Sequence, residues 1–410
     1  MLTILMYALH AEPNGYIGGG WIRVIELLKR AKSHNVKFVL IETQPTFKSV
    51  YKLNYETLEI PGFLNKFFIG RVIRCLTATI YGVLRAKNGD IDLILSPVEL
   101  PECVLPAYLT SRIAKLPWTS EIHLIPLYAA FWRNEECIGK TSSFRDLLRE
   151  HQRRKASMLF SIFASLTQWL VFRAFRRGIM LAPSKSVVED MQYVDKDITV
   201  KHFYPGNGVA IERINNTESK PKRYEAIYVG VLSEKKGALD AIHAWHNVVK
   251  ERPNSILAIV GRGSENEITR IQKMVKQFNM ESNVQFPFDL RTGAPTLEDV
   301  WRCIKQSKML IHPSVSDTWP QVIGEALACG VPVVTYDLRP QRYAFGDCPA
   351  VFRVPAKNLD AFSSKVLEIL KGFSGMDSNL AVEFAKRYSW DAVLDAEKRA
   401  FIEVKKAIKI

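Results

Sequence analysis

Cysteine is scarce in this sequence, and its spacing rules out several kinds of site. The six cysteines are scattered over 410 residues, and none forms a C-x-x-C pair. This pattern argues against a zinc finger and against a disulfide framework, and it predicts reduced structural cysteines. The glycine loop after the first apolar run carries no Gly-Lys-Ser/Thr, so it is not a P-loop. No Asp-x-Asp pair stands at a position suited to a metal site, so we expect neither a metal nor another cofactor.

The sequence shows neither the pattern of a signal peptide nor a long apolar run of the kind that spans a membrane. The first residues, Met1–Tyr7, have no basic region and no small-residue cleavage site, and are typical of a first strand. The composition, 47% apolar and 24% charged, is that of a folded soluble protein. A chain of 410 residues exceeds one ordinary core and predicts two domains of roughly 150–200 residues each. We expect a cytoplasmic protein.

Acidic residues are too few to balance the basic ones, and the excess is concentrated. The net charge is +14, and the segments Phe63–Lys87 and Arg145–Arg177 carry +11 of it, interleaved with aromatic residues. Such segments suit the headgroup region of an anionic bilayer, although a core helix and an ordinary solvated surface are alternatives. The apolar stretch Ala156–Phe172 is short and rich in hydroxyl groups, which argues against a span. No recognised nucleic-acid module is present, so we expect no nucleic acid as partner.

The N-terminal third begins with a strand, a glycine loop and a helix. Leu2–Ala8 is a continuous apolar run, as in a central parallel strand. Gly18, Gly19 and Gly20 follow it and precede a predicted helix over Trp21–Lys32. Glycines in this position allow a phosphate or sugar to approach the backbone, and a tight strand-to-helix turn is the alternative interpretation.

The most informative stretch is His312–Val334. It predicts a buried strand, a loop, a helix with Pro320 at its first position, and a second strand after Gly330. Asp317 lies in the loop, and Gln321 and Glu325 share one helix face because they are four residues apart. A loop after a parallel strand that leads into a helix is where open α/β sheets bind ligands. A helix cap for Asp317 and a solvated position for Glu325 are the alternatives.

This stretch resembles the nucleotide-sugar signature of retaining glycosyltransferases of family 4, which have the two-domain GT-B fold. Their motif has two glutamates eight residues apart, then a small-residue helix and Gly-x-Pro-Val-Val. Glu325 matches the second glutamate, and Asp317 stands in place of the first. Lys236 and Gly237 match the family's diphosphate loop, in which Val231 replaces the expected arginine.

Two further features are similar to the family. Gly261-Arg262-Gly263 matches the loop beside the nucleotide, and Arg262 is a candidate for the missing cation. Thr119–His123 resembles the strand that brings a histidine to the floor of the cleft, although a lone histidine is more often structural. A solvated lysine is the alternative for Lys236.

The resemblance implies an α/β protein of GT-B type, with two doubly wound Rossmann-like domains facing across a cleft. The expected domains are residues 1–205, which carry the basic, aromatic helices and face the acceptor, and residues 206–385, which bind the nucleotide sugar. Residues 386–410 are expected to form a helix that crosses back to the first domain. The implied catalytic residues are His123, Asp317 and Lys236. The implied donor-binding residues are Gly18, Gly19, Gly20, Gly261, Arg262, Gly263, Trp319, Gln321 and Glu325.

The implied activity is transfer of a sugar from a nucleotide-diphosphate sugar to an acceptor hydroxyl, with retention at the anomeric carbon and without a metal. The basic, aromatic segments favour a lipid-linked or membrane-associated glycan as acceptor, reached by a peripheral protein on the cytoplasmic face of the membrane. A soluble sugar acceptor is an alternative. So is a non-catalytic scaffold of the same fold, which would fit the departures at Asp317 and Val231.

Overall fold

The computed structural model describes residues 1–9, 19–44, 46–66, 68–123, 144–145, 147–148, 158–291, 295–372 and 378–408. The chain forms two compact units. Unit 1 comprises Met1–Gly206 and Trp390–Ile410, and unit 2 comprises Asn207–Ser389.

Unit 1 is built on a parallel sheet of five strands in the order β3-β2-β1-β4-β5, next to a parallel pair, β6-β7. The strands are β1 (Leu2–Ala8), β2 (Val36–Thr43), β3 (Glu56–Ile60), β4 (Leu93–Ser96), β5 (Trp118–Ser120), β6 (Ile179–Ala182) and β7 (Thr199–His202). Every residue of β1 is buried, because helices cover both faces of a parallel sheet. A bridge from Glu121 to Leu181 joins the two sheets.

The helices of unit 1 before residue 206 lie between consecutive strands. They are α1 (Gly19–Arg30), α2 (Phe47–Tyr51), α3 (Phe68–Ala86), α4 (Pro101–Ala114), α5 (Met158–Phe175) and α6 (Lys185–Val194), with a 3₁₀ turn at Gly62–Lys66. From β1 to β2 the chain moves one way along the sheet, whereas from β3 to β4 and from β4 to β5 it moves the other way. Right-handed crossovers therefore place α1 on one face and α3 and α4 on the opposite face.

Unit 2 contains a parallel sheet of six strands in the order β10-β9-β8-β11-β12-β13. These are β8 (Ala226–Val229), β9 (Leu257–Val260), β10 (Val284–Gln285), β11 (Leu310–His312), β12 (Val333–Tyr336) and β13 (Val351–Val354). Trp245, Ile259, Ile311 and Val334 are among the fully buried side chains of its core.

The helices of unit 2 flank this sheet. They are α7 (Ile211–Asn216), α8 (Ala238–Glu251), α9 (Glu265–Gln277), α10 (Leu297–Lys305), α11 (Gln321–Ala328), α12 (Arg339–Phe345), α13 (Leu359–Gly372) and α14 (Ser378–Lys386). The start of α10 is fixed by a capping box. Thr296 Oγ1 accepts from the Asp299 backbone N at 3.2 Å, and the Asp299 carboxylate accepts from the Thr296 backbone N at 3.1 Å.

The last helix, α15 (Trp390–Ala407), belongs to unit 1, where it packs against α1. His34 connects the two: its ring nitrogens lie 2.7 Å from Asp395 Oδ1 and 2.9 Å from Asp391 Oδ1, both on α15. The two parallel, helix-covered sheets confirm the predicted fold class of two Rossmann-like α/β domains.

Candidate active site

The order of the strands in unit 2 identifies a binding crevice. β8 and β11 are neighbours in the sheet, but the chain continues from β8 to β9 on one side and from β11 to β12 on the other. Loops leaving such a pair of strands diverge and open a crevice at their carboxyl ends. The loop after β8 carries Lys236, and the loop after β11 carries Asp317.

Two glycines allow these loops to approach one another closely. Gly237 has φ of 77°, and a Cβ atom on it would lie 2.0 Å from the Pro313 carbonyl oxygen. A Cβ atom on Gly261, in the loop after β9, would lie 1.8 Å from the Gly230 carbonyl oxygen. Both contacts are with backbone, so a larger residue would push the loops apart. This supplies a structural reason for glycine at two positions that the sequence singled out.

Backbone hydrogen bonds then hold the loops together. The Val315 backbone N donates to the Lys235 carbonyl at 3.0 Å, and the Leu232 backbone N donates to the Arg262 carbonyl at 2.7 Å. The three loops of the crevice are therefore fixed by main-chain contacts that do not depend on their exposed side chains.

At the centre of the crevice lies the ionic cluster Lys236, Asp317 and His312. Lys236 Nζ donates to Asp317 Oδ1 at 2.6 Å and to the Ser316 carbonyl at 2.6 Å. His312 Nε2 lies 2.9 Å from Asp317 Oδ2. The Asp317 side chain is 8% exposed, whereas that of Lys236 is 34% exposed. The carboxylate is thus enclosed by its partners, and the ammonium group remains open to a ligand.

The electrostatics of the cluster favour an ionised Asp317. Burial alone would raise the pKa of this carboxyl, but the neighbouring Lys236 and His312 outweigh it and hold the pKa well below its usual range. Tyr228 lies beneath the loop, with its hydroxyl donating to the Val231 carbonyl at 2.9 Å. Burial and the negative charge of Asp317 raise the pKa of Tyr228 and keep it neutral. His312 and Tyr228 are parts of the site that motif reasoning missed, although both flank motif residues in the sequence.

Glu325 occupies a very different environment on α11. It is half-buried, and this burial raises the pKa of its carboxyl to about 7, in spite of the opposing influence of Trp301 and Arg213. Gln321, one turn earlier, donates from Nε2 to the Gly208 carbonyl at 3.4 Å. On the helix face that these two residues share, Gln321 thus contacts the backbone of Gly208, and Glu325 lies near the indole of Trp301.

Trp319 and Pro320 precede α11. The Trp319 ring packs against Phe345 and Tyr388, with ring centroids 5.3 and 5.4 Å apart. Pro320 is the N-cap of α11, and not its first helical residue as the sequence predicted. The helix begins one residue later because Pro320 has an extended ψ of 97°. Gly330, with φ of 70°, follows the end of the helix as expected.

The predicted residues of unit 1 lie at the start of α1 and after β5. Gly18 lies outside the described residues, and Gly19 and Gly20 are the first two residues of α1, so these two belong to the helix and not to the loop. His123 is held by three neighbours: its backbone N donates to Glu99 Oε2 at 3.0 Å, and its Nε2 lies 3.1 Å from the Pro97 carbonyl and 3.5 Å from Glu121 Oε2.

Behind His123 lies a second ionic cluster, which sequence reasoning missed. Arg23 on α1 is 1% exposed, and its Nε donates to Glu121 Oε2 at 3.0 Å. Its Nη2 lies 2.9 Å from Glu397 Oε2 on α15, and its Nη1 donates to the Gly206 carbonyl at 2.6 Å. The sequence signal that could have identified this cluster is the charged Arg23 on the apolar face of α1, between Trp21 and Val24.

Within the described residues, no group of three or more His, Cys, Asp or Glu side chains is placed to hold a metal ion. In the same part of the chain, none of the helices combines the length and apolarity needed to cross a membrane.

Residues 210–385 match the family described as "Glycosyl transferases group 1". Among curated proteins, an uncharacterized glycosyltransferase of Haemophilus influenzae is 27% identical over 151 residues, covering 36% of this chain and 40% of that protein. The poly(glycerol-phosphate) alpha-glucosyltransferase of Bacillus subtilis is 25% identical over 176 residues, covering 41% of this chain and 24% of that protein. The matched stretches thus span less than half of either relative.

Among solved structures, HepE of Anabaena in complex with UDP and glucose aligns with a TM-score of 0.70 at 15% identity, covering 98% of this chain and 100% of that one. At this identity the similarity establishes the fold. The fold is therefore of GT-B type, and the family match at residues 210–385 covers most of unit 2.

Proposed function

We propose that the chain is a retaining glycosyltransferase that moves a hexose-type sugar from a nucleotide-diphosphate sugar to an acceptor hydroxyl. The observation that carries this proposal is the Lys236 ammonium group, which Asp317 and the Ser316 carbonyl hold at the strand switch point. The nucleotide sugar is supported by the similarity to a structure that contains UDP and glucose.

The chemistry of the leaving group explains why this lysine matters. When the bond from sugar to diphosphate breaks, negative charge develops on the departing diphosphate oxygen. A fixed cation aimed at that oxygen stabilises the transition state more than the ground state. Lys236 stands two residues before α8, whose N-terminus adds a partial positive charge. No metal is needed in this scheme, because the lysine and the helix supply the positive charge.

The other site residues receive roles from the family resemblance. Glu325 would accept hydrogen bonds from the donor ribose, and Asp317 would lie near the sugar and the phosphates. Arg262, Gly261 and Gly263 would border the nucleotide, and the resemblance gives His123 a catalytic role and the glycines at the start of α1 a role in donor binding. Retention of the anomeric configuration also rests on this resemblance.

We propose a lipid-linked or membrane-associated glycan as acceptor, with the protein on the cytoplasmic face of the membrane. The apolar and basic helices of unit 1 support this choice. A soluble sugar acceptor is the second candidate, and a non-catalytic scaffold is the third, favoured by the replacement of the expected arginine by Val231, which is 40% exposed.

A panel of nucleotide sugars tests the proposal. We expect at least one of them to raise the melting temperature, because a ligand that binds the native state stabilises it. The same compound should be hydrolysed slowly without an acceptor, with unchanged rate in excess EDTA, and NMR of the first-formed product should show the donor's anomeric configuration. Binding without turnover would favour the scaffold. Inversion would contradict the retaining mechanism, and loss of activity in EDTA would contradict the metal-free one.

A further inference from the structure

Three neighbouring helices of unit 1 expose large apolar side chains. On α3, the apolar residues Ile69, Val72, Ile73, Leu76, Ile80 and Leu84 are each 42% to 71% exposed. They follow each other at steps of one, three and four residues and therefore form one stripe along the helix. The side chains that α3 buries include Arg74, Thr79 and Arg85 instead. A helix on an ordinary protein surface shows the reverse arrangement.

Helix α5 repeats this inversion. Met158, Ile162, Leu166 and Leu170 recur every fourth residue and are 36% to 68% exposed, whereas Ser161 and Ser165 are fully buried. The Ser165 hydroxyl donates to the Ser161 carbonyl at 2.5 Å, which satisfies it inside the helix. Up to Leu170, the described buried positions of α5 are these two serines and the large apolar side chains face outward, whereas the last turn buries Val171, Phe172 and Phe175.

Helix α4 packs between α3 and α5 and joins the two stripes. Its Leu109 and Ile113, one turn apart, are 43% and 60% exposed. The contact with α3 is close, because a Cβ atom on Gly82 would lie 2.9 Å from Thr110 Oγ1. We call the exposed apolar side chains of α3, α4 and α5 the apolar face. By contrast, α1 and α15 contribute no large exposed apolar residue within the described part of the chain.

The charges around the apolar face are positive. Each of the three helices leads into the next strand of a parallel series, so their C-terminal ends lie at the same edge of unit 1. Exposed cations gather at those ends: Lys87 after α3, Arg112 and Lys115 at the end of α4, and Arg173 and Arg177 at the end of α5. Neither α3 nor α5 contains an acidic residue, and α4 contains Glu102 in its first turn.

The structure also corrects the charge argument drawn from the sequence. Of the basic residues predicted to face lipid, Arg74 and Arg85 are 2% and 9% exposed. Arg85 is paired with Asp90 and Glu56. Arg149 and Arg153–Lys155 lie outside the described residues. The apolar stripe therefore carries more of the inference than the net charge does, and the cations that support it are those at the edge.

We propose that the apolar face is a membrane-contact surface, on which α3, α4 and α5 lie flat on a bilayer containing anionic lipid. Apolar side chains would enter the acyl boundary, and the row of cations would meet lipid phosphates. A second copy of the chain fits less well, since it would present the same cations and few acids to that row. If the acceptor is lipid-linked, as proposed, this surface would bring the protein to the membrane that holds it. The membrane contact itself does not depend on the proposed function, and only its biological purpose rests on it.

Vesicle co-sedimentation of the full chain tests the contact. Wild-type protein should pellet with vesicles of phosphatidylglycerol and phosphatidylcholine, and less with phosphatidylcholine alone. The double variant Leu76→Gln, Ile80→Gln should reduce the bound fraction at least about tenfold, because two exposed apolar side chains no longer gain from burial. Arg112→Gln with Arg173→Gln should abolish most of the preference for anionic vesicles. Leu380→Gln, at a 52% exposed apolar position of unit 2, is the matched control and should bind like wild type.

Two further measurements separate the possible failures. In sedimentation velocity without lipid, wild type and the Leu76→Gln, Ile80→Gln variant should show the same association state. Self-association that the variant loses, with no vesicle binding, would assign the face to a second copy and overturn the proposal. Binding of a nucleotide sugar should be the same in wild type and variant. If wild type ignores both kinds of vesicle and still binds the donor, the membrane contact fails while the proposed function stands.

Discussion

The ionic clusters of Asp317 and of Arg23 have opposite compositions. In unit 2, the single carboxylate of Asp317 faces two basic groups, Lys236 and His312. In unit 1, the single guanidinium group of Arg23 faces two carboxyl groups, Glu121 and Glu397. The cluster of Asp317 has more basic groups than carboxyl groups. The cluster of Arg23 has one carboxyl group more than the single guanidinium group can neutralise.

Under the proposed function, this difference separates a site for ligands from a cluster that only joins structural elements. His312 also contacts the Asp317 carboxylate, so in the proposed function Lys236 would turn toward a ligand phosphate without leaving that carboxylate unpaired. In unit 1, burial and repulsion from Glu121 raise the pKa of Glu397 far above its ordinary value, whereas Arg23 overcomes burial and lowers the pKa of Glu121. The cluster is then neutral overall, with Glu397 protonated, and it joins α1, the end of β5 and α15.

The largest effect that this comparison predicts is on stability. Changing Arg23→Met should lower the free energy of unfolding by about 3–5 kcal/mol, because it leaves the buried Glu121 carboxylate without its guanidinium partner. Arg30→Met, on the same helix, should cost much less, because Arg30 is 20% exposed and its partner Glu26 keeps an ion pair with Lys29. Denaturant unfolding of both variants measures the difference. Equal losses would mean that Arg23 acts through packing alone.

The second prediction concerns turnover at the site in unit 2. Lys236→Ala should reduce kcat by about two orders of magnitude or more, the loss seen when one transition-state donor is removed. Lys235→Ala, which removes the same charge from the same loop, should leave kcat within about threefold because its backbone contacts persist. A melting curve of each variant checks the fold. A loss of less than threefold for Lys236→Ala would mean that the lysine serves only the ion pair.

The sequence predicted the cluster in unit 2 better than the one in unit 1. Lys236 and Asp317 lie in loops after apolar strands, where the motif and the strand pattern identify them together. Arg23, Glu121 and Glu397 are separated by 98 residues and more along the chain, and no local pattern connects them. Only the packing of α15 against α1 brings them together, and that packing is a tertiary property.

The helices of the apolar face show the same limit. The sequence predicted apolar helices with basic neighbours in both segments, but periodicity alone does not tell which side of a helix faces the sheet. It also counted Arg74 and Arg85 among the exposed cations, whereas the fold buries them. From sequence alone, a stripe of isoleucine and leucine along a helix predicts a core-facing side. Only the packing of the neighbouring helices shows whether that side is buried.

A smaller effect should appear in the pH dependence of donor binding. The carboxyl of Glu325, with its pKa raised to about 7, is mostly protonated at pH 6 and mostly ionised at pH 8. If its carboxylate accepts hydrogen bonds from the ribose, donor affinity should rise roughly tenfold over this range, the ratio of the ionised fractions. Glu325→Gln should remove the slope. Titration calorimetry with the nucleotide sugar found in the panel measures both, and equal slopes would place Glu325 away from the donor.

The smallest effect should come from Glu397→Gln. Since Glu397 is already protonated in the fold, a neutral isostere changes little, and stability should stay within about 1 kcal/mol near pH 5. The sign at higher pH follows from its raised pKa. Above its ordinary pKa the unfolded chain releases this proton while the folded chain keeps it, so wild-type stability falls as pH rises and the variant's does not. The melting temperature of Glu397→Gln should therefore gain on wild type between pH 5 and pH 8. Asp317→Asn should show the opposite sign in a lower pH range: its stability deficit relative to wild type should be constant above about pH 5 and shrink as pH falls below the ordinary pKa of aspartate, because the folded state favours the ionised carboxylate. A constant difference between Glu397→Gln and wild type across this range would mean that both carboxyl groups beside Arg23 are ionised, and that the two clusters differ in position only.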